Sequence, residues 1–219
     1  MKNFNHTLLI FVTITLLFSC SSTSKANIYM PAPTTPKKAA HEKPEKPVKP
    51  VPPSPDLILG NGTVAGEKLA AFLLKSNPRL DKPFVDEFAK IYIEEAAIEG
   101  VNHDVAFSQM CLETGFLSYG GLVTPDMNNF CGLGSIGPGQ EGERFPSPEI
   151  GVRAQIQHLK AYATDEPPKQ TLVDPRHRWV RYGSAPTIYA LAGTWAADRE
   201  YGRKLKNILD NLYAASFGS

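Results

Sequence analysis

Residues 21–56 hold nine prolines and six lysines, and almost no large apolar side chains. Proline fixes φ and removes a backbone donor, so this stretch stays extended and builds neither a helix nor a core. The packed body must therefore come from residues 57–219, or 163 positions. A body of that size buries one proper core and rarely makes two. Apolar residues at 42% and charged residues at 21% are those of an ordinary globular domain. They exclude a multi-span membrane protein, a repeat array and a wholly disordered chain. The body carries 16 Lys/Arg against 19 Asp/Glu, a charge of −3, whereas residues 1–56 carry 7 against 3, a charge of +4. A nucleic-acid binder shows its basic excess on the folded part, so nucleic acid is not an expected partner.

The first residues read as an address. Lys2 precedes an apolar run at residues 8–18, too short to span a bilayer comfortably. The site Leu17-Phe18-Ser19-Cys20, followed by Ser21 and Ser22, resembles a bacterial lipobox. That resemblance implies a signal peptide over residues 1–19, cleavage before Cys20 and diacylglycerol on its sulfur. Two or three acyl chains make a durable anchor. Ser21 points to the outer membrane, with the domain facing the periplasm. Residues 20–56 then form a lipidated tether, reaching on the order of 90 Å at about 3 Å per residue.

Six helices are expected in the body. Residues 64–75 carry Leu69, Phe72 and Leu73. Residues 83–99 follow Asp81 and Pro83, place Phe84, Phe88, Ile91, Glu95 and Ile98 on one stripe, and stop at Gly100. Residues 103–114 follow Asn102 as cap and end at Gly115. Residues 148–163 start from Ser147-Pro148-Glu149. Residues 186–197 start at Pro186, and residues 200–214 align Leu205, Ile208, Leu209 and Leu212. Between Gly115 and Pro146 the periodicity vanishes and eight glycines appear. Irregular loops of that length in compact domains are usually functional. The pattern predicts a predominantly helical body with a small, irregular, glycine-rich lobe after the third helix.

The third helix ends on an acid. Val105, Ala106, Phe107, Met110 and Leu112 make it apolar around most of its circumference, which predicts burial. Glu113 sits in its last turn, just before the lobe. Burial and the negative end of the helix dipole both push a carboxyl there towards its neutral form. A neutral Glu is what a glycosidase needs to protonate a leaving oxygen.

Several blocks then match a known family in order across residues 84–214. They are FSQMCLETGFLSYGG (107–121), MNNFCGLGSIGPG (127–139), RFPSPEIGVRAQIQHLKAYA (144–163), DPRHRWVRYGSAP (174–186) and LAGTWAADREYGRKL (191–205). The chain resembles the glucosaminidase domain of bacterial peptidoglycan hydrolases, a mannosyl-glycoprotein endo-beta-N-acetylglucosaminidase-like domain of glycoside hydrolase family 73. The resemblance implies a lysozyme-like α+β fold and hydrolysis of the N-acetylglucosaminyl bond in peptidoglycan glycan strands. It also implies Glu113 as general acid, no metal or other cofactor, and action as a monomer. A lytic transglycosylase of the same fold and a non-catalytic peptidoglycan-binding lipoprotein are the alternatives.

Around Glu113, Asn128 and Asn129 match the family's paired asparagines. Their amides suit sugar hydroxyls and acetamido groups, or brace the turn before Gly132; Asn129 is the more cleft-lining of the two. The second carboxylate is expected at Glu143, ahead of Glu141 and Asp126; a substrate acetamido group can also take the nucleophile's place. Trp195 and Tyr201 flank Asp198 and are expected to bind substrate; Trp195, where many relatives have Tyr, offers a platform under a sugar ring or packs the last helices. Tyr119 and Phe116 are expected to border the cleft. Arg176, Arg178 and Arg181 form a solvated basic face or meet peptide-stem carboxylates. Cys111 and Cys131 either bridge, adding roughly 3 kcal/mol, or stay free. Cys111 suits packing better than attack. His103, His158 and His177 lack a short zinc spacing.

Overall fold

The computed structural model describes residues 50–218 except 136 and 138. The signal peptide, Cys20 and most of the tether lie outside the described residues.

The body is helical. Helices α1 (Gly66–Ser76), α2 (Lys82–Glu99), α3 (His103–Thr114), α4 (Pro148–Ala163) and α5 (Tyr201–Phe217) are joined by irregular chain and three short 3-10 turns. The bounds follow local chemistry. Asp81 caps α2 by accepting from the Phe84 N–H. Asn102 caps α3 through the Asp104 and Val105 N–H groups, and Gly115 closes it in a left-handed conformation. Ser147 caps α4, with Pro148 in its first turn. Pairing between strands is limited, among the described residues, to isolated bridges such as Leu57 with Thr187 and Leu59 with Val101.

Of the expected α2 stripe, Phe88, Ile91 and Glu95 are buried. Phe84 and Ile98 stay exposed, and Val85, Phe88, Ala89, Tyr92 and Ala96 face the core. Spacings of three and four fit either face, and the partners decide: α2 packs on α1, α3 and α4. Phe88 meets Tyr92 at 5.2 Å and Phe130 of the lobe at 4.7 Å, while Tyr92 meets Phe107 at 5.4 Å. This aromatic string ties the lobe to the bundle. Gly151 completes the join, because a Cβ there would stand 1.8 Å from the Asn128 carbonyl oxygen.

Residues 186–197 do not form the expected helix. The chain makes a 3-10 turn at Ile188–Leu191, then coils. The Leu191 carbonyl accepts from the N–H groups of Thr194, Trp195 and Ala196, and Gly193 takes a positive φ of 81°. That tight knot replaces a helical ladder and turns Trp195 towards α3.

Two acids of α2 hold the chain that follows α4. Glu95 takes both guanidinium arms of Arg153, at 2.9 and 2.8 Å, and the Gln170 amide at 2.7 Å. Glu99 is 1% exposed and pairs with Lys160, itself 2% exposed, at 2.9 Å. It also accepts the N–H groups of Lys169 and Gln170. The packed body starts slightly before residue 57. Ser54 donates to Asp210 of α5, Lys206 reaches Ser54 and Asp56, and the Asp56 carbonyl accepts from Ile188.

Candidate active site

The end of α3 opens into a cleft of about 370 Å³. Glu113, Thr114, Tyr119, Leu122, Gly132 and Trp195 are among its walls. Ten of the twelve α3 residues are buried, so the helix serves as a rigid stem. Glu113 meets solvent through the cleft, yet protein encloses it elsewhere. Its Oε1 accepts two hydrogen bonds, from the Tyr201 hydroxyl at 2.5 Å and the Trp195 indole N–H at 2.9 Å. Burial raises its carboxyl above the usual range, and the bonds from Tyr201 and Trp195 offset part of that rise.

Behind Tyr201 runs a chain of buried polar groups whose direction is fixed at one end. Gln155 donates from Nε2 to the Ala106 carbonyl at 3.0 Å, and a carbonyl can only accept. The Gln155 amide is thereby oriented. Its Oε1 receives the Tyr92 hydroxyl at 2.6 Å, and its Nε2 also donates to Gln109 Oε1 at 2.9 Å. Gln109 must then present Nε2 to Tyr201, at 3.1 Å. Tyr201 accepts that bond, so its own proton goes to Glu113 Oε1. With two donors on Oε1, the proton of a neutral Glu113 belongs on Oε2. Gly132, with φ of 70°, stands beside that oxygen: a Cβ there would lie 4.0 Å from Oε2. Tyr92, Gln109 and Gln155 were not expected in the site. The one available signal was Gln109, four residues before Glu113 on the same helical face.

The expected residues divide. Trp195 and Tyr119 line the cleft, and burial pushes the Tyr119 phenol up to about 12. Tyr201 is 5% exposed and stands behind the acid, so it holds Glu113 and does not form substrate surface. Asn129 is also among the residues lining the cleft, but it is fully buried in its wall. Its Nδ2 donates to the Leu133 and Glu143 carbonyls and its Oδ1 accepts from the Leu133 N–H, so the amide is spent on folding the lobe. Asn128, at φ 49°, donates to the Phe145 carbonyl and is likewise a brace. Phe116 packs edge-on against Phe72 and does not border the cleft.

Glu143 also misses the cleft. Its side chain turns past Gly134 into a separate depression, 4.0 Å from Arg176. Asp126 is exposed and paired with Arg144. No second carboxylate lines the Glu113 cleft among the described residues. Cys111 and Cys131 are both free and buried, and burial pushes both thiols up, so neither is poised to attack.

The family model described as mannosyl-glycoprotein endo-beta-N-acetylglucosaminidase matches residues 89–214. An "Uncharacterized protein" of Borreliella burgdorferi is 46% identical over 155 residues, covering 71% of this chain and 76% of that protein. Among solved structures, S. aureus Autolysin E in complex with the muropeptide NAM-L-Ala-D-iGlu aligns with a TM-score of 0.47 at 14% identity, over 76% of this chain and 73% of that one. A catalytic mutant of Autolysin E in complex with the disaccharide NAG-NAM aligns with a TM-score of 0.46 at 14% identity, over 72% and 70%.

Proposed function

This chain belongs to the mannosyl-glycoprotein endo-beta-N-acetylglucosaminidase family and is a glycoside hydrolase, and we propose that Glu113 is the acid with which it cleaves the N-acetylglucosaminyl bond of peptidoglycan glycan strands. One observation carries the assignment: the only carboxyl lining the cleft, among the described residues, is one whose proton is favoured and aimed. The Oε2 proton passes to the leaving glycosidic oxygen as the bond to the anomeric carbon breaks. The carboxylate left behind is stabilised by the two donors already on Oε1. The described lining offers no second carboxylate, which favours a nucleophile from the substrate's own acetamido group, with water closing the reaction.

Digestion of purified sacculi, with mass spectrometry of the released fragments, tests this reading. Reducing N-acetylglucosamine ends are expected. Anhydromuramyl ends would convert the enzyme into a lytic transglycosylase, and binding without release would leave a non-catalytic wall-binding protein. The Leu17-Phe18-Ser19-Cys20 site supports export and lipid anchoring at Cys20 in the outer membrane, with the wall within reach of the tether. A Cys20→Ser variant is expected to move from the membrane fraction to the soluble fraction, and its retention in the membrane would remove the anchor.

A further inference from the structure

The Tyr201 hydroxyl touches two side chains, the Glu113 carboxyl at 2.5 Å and the Gln109 amide at 3.1 Å. Such a chain of hydrogen bonds can run in two directions. In the forward direction Gln109 Nε2 donates to Tyr201, and Tyr201 donates to Glu113 Oε1. In the reverse direction a neutral Glu113 carries its proton on Oε1 and donates it to Tyr201, which in turn donates to Gln109 Oε1. The reverse chain is complete as well, yet it points the acid's proton into the protein and away from the cleft. Tyr201 alone does not select between the two, because a hydroxyl both donates and accepts.

The selection is made two side chains away from the acid. Gln109 of α3 and Gln155 of α4 are both fully buried. Gln155 Nε2 spends its hydrogens on the Ala106 carbonyl at 3.0 Å and on the Gln109 oxygen at 2.9 Å, while the Tyr92 hydroxyl holds Gln155 Oε1 at 2.6 Å. Turning the Gln109 amide over would set its N–H groups against those of Gln155, where no solvent reaches to pair them. Gln155 itself cannot turn, because the backbone carbonyl it serves only accepts. The other titratable groups around this chain are Tyr92, Tyr119, Tyr201, Cys111 and Cys131. Burial raises all five, so they stay neutral while Glu113 titrates. His158, paired with Asp174, packs against the far side of the site through the Trp195 ring.

We propose that Gln155 is a positioning residue of the reaction: by fixing the Gln109 amide it bars the reverse chain and keeps the Glu113 proton on Oε2. It touches no substrate and acts only through Gln109 and Tyr201. The proposal rests on the reading of Glu113 as the acid. Gln155→Met fills similar space without an amide, so Gln109 is free to turn and the reverse chain opens. The neutral acid is then better bonded, and its proton is misaimed. On sacculi, kcat is expected to fall about tenfold, and the Glu113 carboxyl is expected to titrate about one pH unit higher. Adding Gln109→Met removes the acceptor on which the reverse chain ends. Tyr201 then has only Glu113 to donate to, so rate and titration should both return towards the native values. Two buried amides that served packing alone would give the opposite result, a double variant slower than the single.

Sugar release from sacculi by the full-length protein gives the rates, and carboxyl-carbon NMR of glutamate-labelled protein follows the titration. The Glu113 signal is the one missing from Glu113→Gln. A Gln155→Met variant with native rate and native Glu113 titration overturns this proposal alone, as does a double variant slower than the single. Native protein that releases no sugar overturns the acid reading, and the positioning role with it. Should Gln155→Met fail to fold, the native protein carries the test. Nuclear Overhauser contacts from the Gln109 side-chain amide hydrogens to the Tyr201 ring are expected, and contacts from those hydrogens to Gln155 in their place would overturn the fixed direction.

Discussion

Glu113→Gln is expected to abolish release of sugar fragments from sacculi, with kcat falling by about a thousandfold, while the protein stays folded. The amide keeps a carbonyl for Trp195 and Tyr201 and places N–H bonds where the acid carried its proton, so the hydrogen bonds of the site survive. The same variant is expected to melt higher than the native protein near neutral pH. Burial raises the folded-state pKa of Glu113, against the opposing bonds from Tyr201 and Trp195. The unfolded chain titrates in the ordinary range, at about 4.3. A raised folded pKa contributes stability that is whole below the unfolded value and is lost as pH climbs through the folded one. Above that window the native protein carries the cost of a partly desolvated charge, and the variant does not. Thermal melts should coincide near about pH 4 and separate as pH rises, with the variant ahead. An active variant, or one that melts lower at neutral pH, would remove the assignment of Glu113 as the acid whose pKa the cleft raises.

The largest stability effect is expected at the buried Glu99–Lys160 pair. Lys160→Met should cost about 3–5 kcal/mol, because it leaves the Glu99 charge buried without its counter-ion. Denaturant titration measures the loss. Burial pushes the Glu99 carboxyl up, but the Lys169 N–H, the Lys160 ammonium and the Gln170 N–H outweigh it, and its pKa ends below the usual value. A depressed folded pKa supports the fold above the unfolded value and fails as pH falls through the folded one. Acid unfolding is therefore expected to include the release of the chain after α4. Adding Glu99→Gln to Lys160→Met should recover part of the loss, since no charge is then left buried, although the amide oxygen accepts only one of the two backbone N–H groups that the carboxylate held on separate oxygens. Additive losses would show that the two groups act independently.

The parts of this molecule that were legible in the sequence are those specified locally. Asn102 and Gly115 bracket α3, and Ser147-Pro148 opens α4, because caps act within one turn. Glu113 was legible for the same reason, as an acid at the end of a helix apolar all round. Residues 186–197 misled because Leu191 and Trp195 keep helical spacing while Gly193 lets the chain knot on one carbonyl. Asn129 stands in the cleft wall, but an amide beside a glycine turn can serve a sugar or a loop, and only the positions of the Leu133 and Glu143 backbone show that this one serves the loop. Glu143 had the right chemistry, but its direction past Gly134 is a property of the folded lobe. Tyr92 and Gln155 were out of reach altogether, and Gln109 was marked only by its spacing from Glu113. Spacing reports neighbours within a helix, whereas these side chains meet only across helices.

Each link from the Ala106 carbonyl to Glu113 crosses between helices: Gln155 from α4, Gln109 from α3 and Tyr201 from α5. None of these partial packings alone orients the next hydroxyl. A copy with α4 or α5 undocked from α3 has its acid but not the alignment that aims its proton. The aim of that proton is therefore a property of the closed bundle and not of the helix that carries the acid.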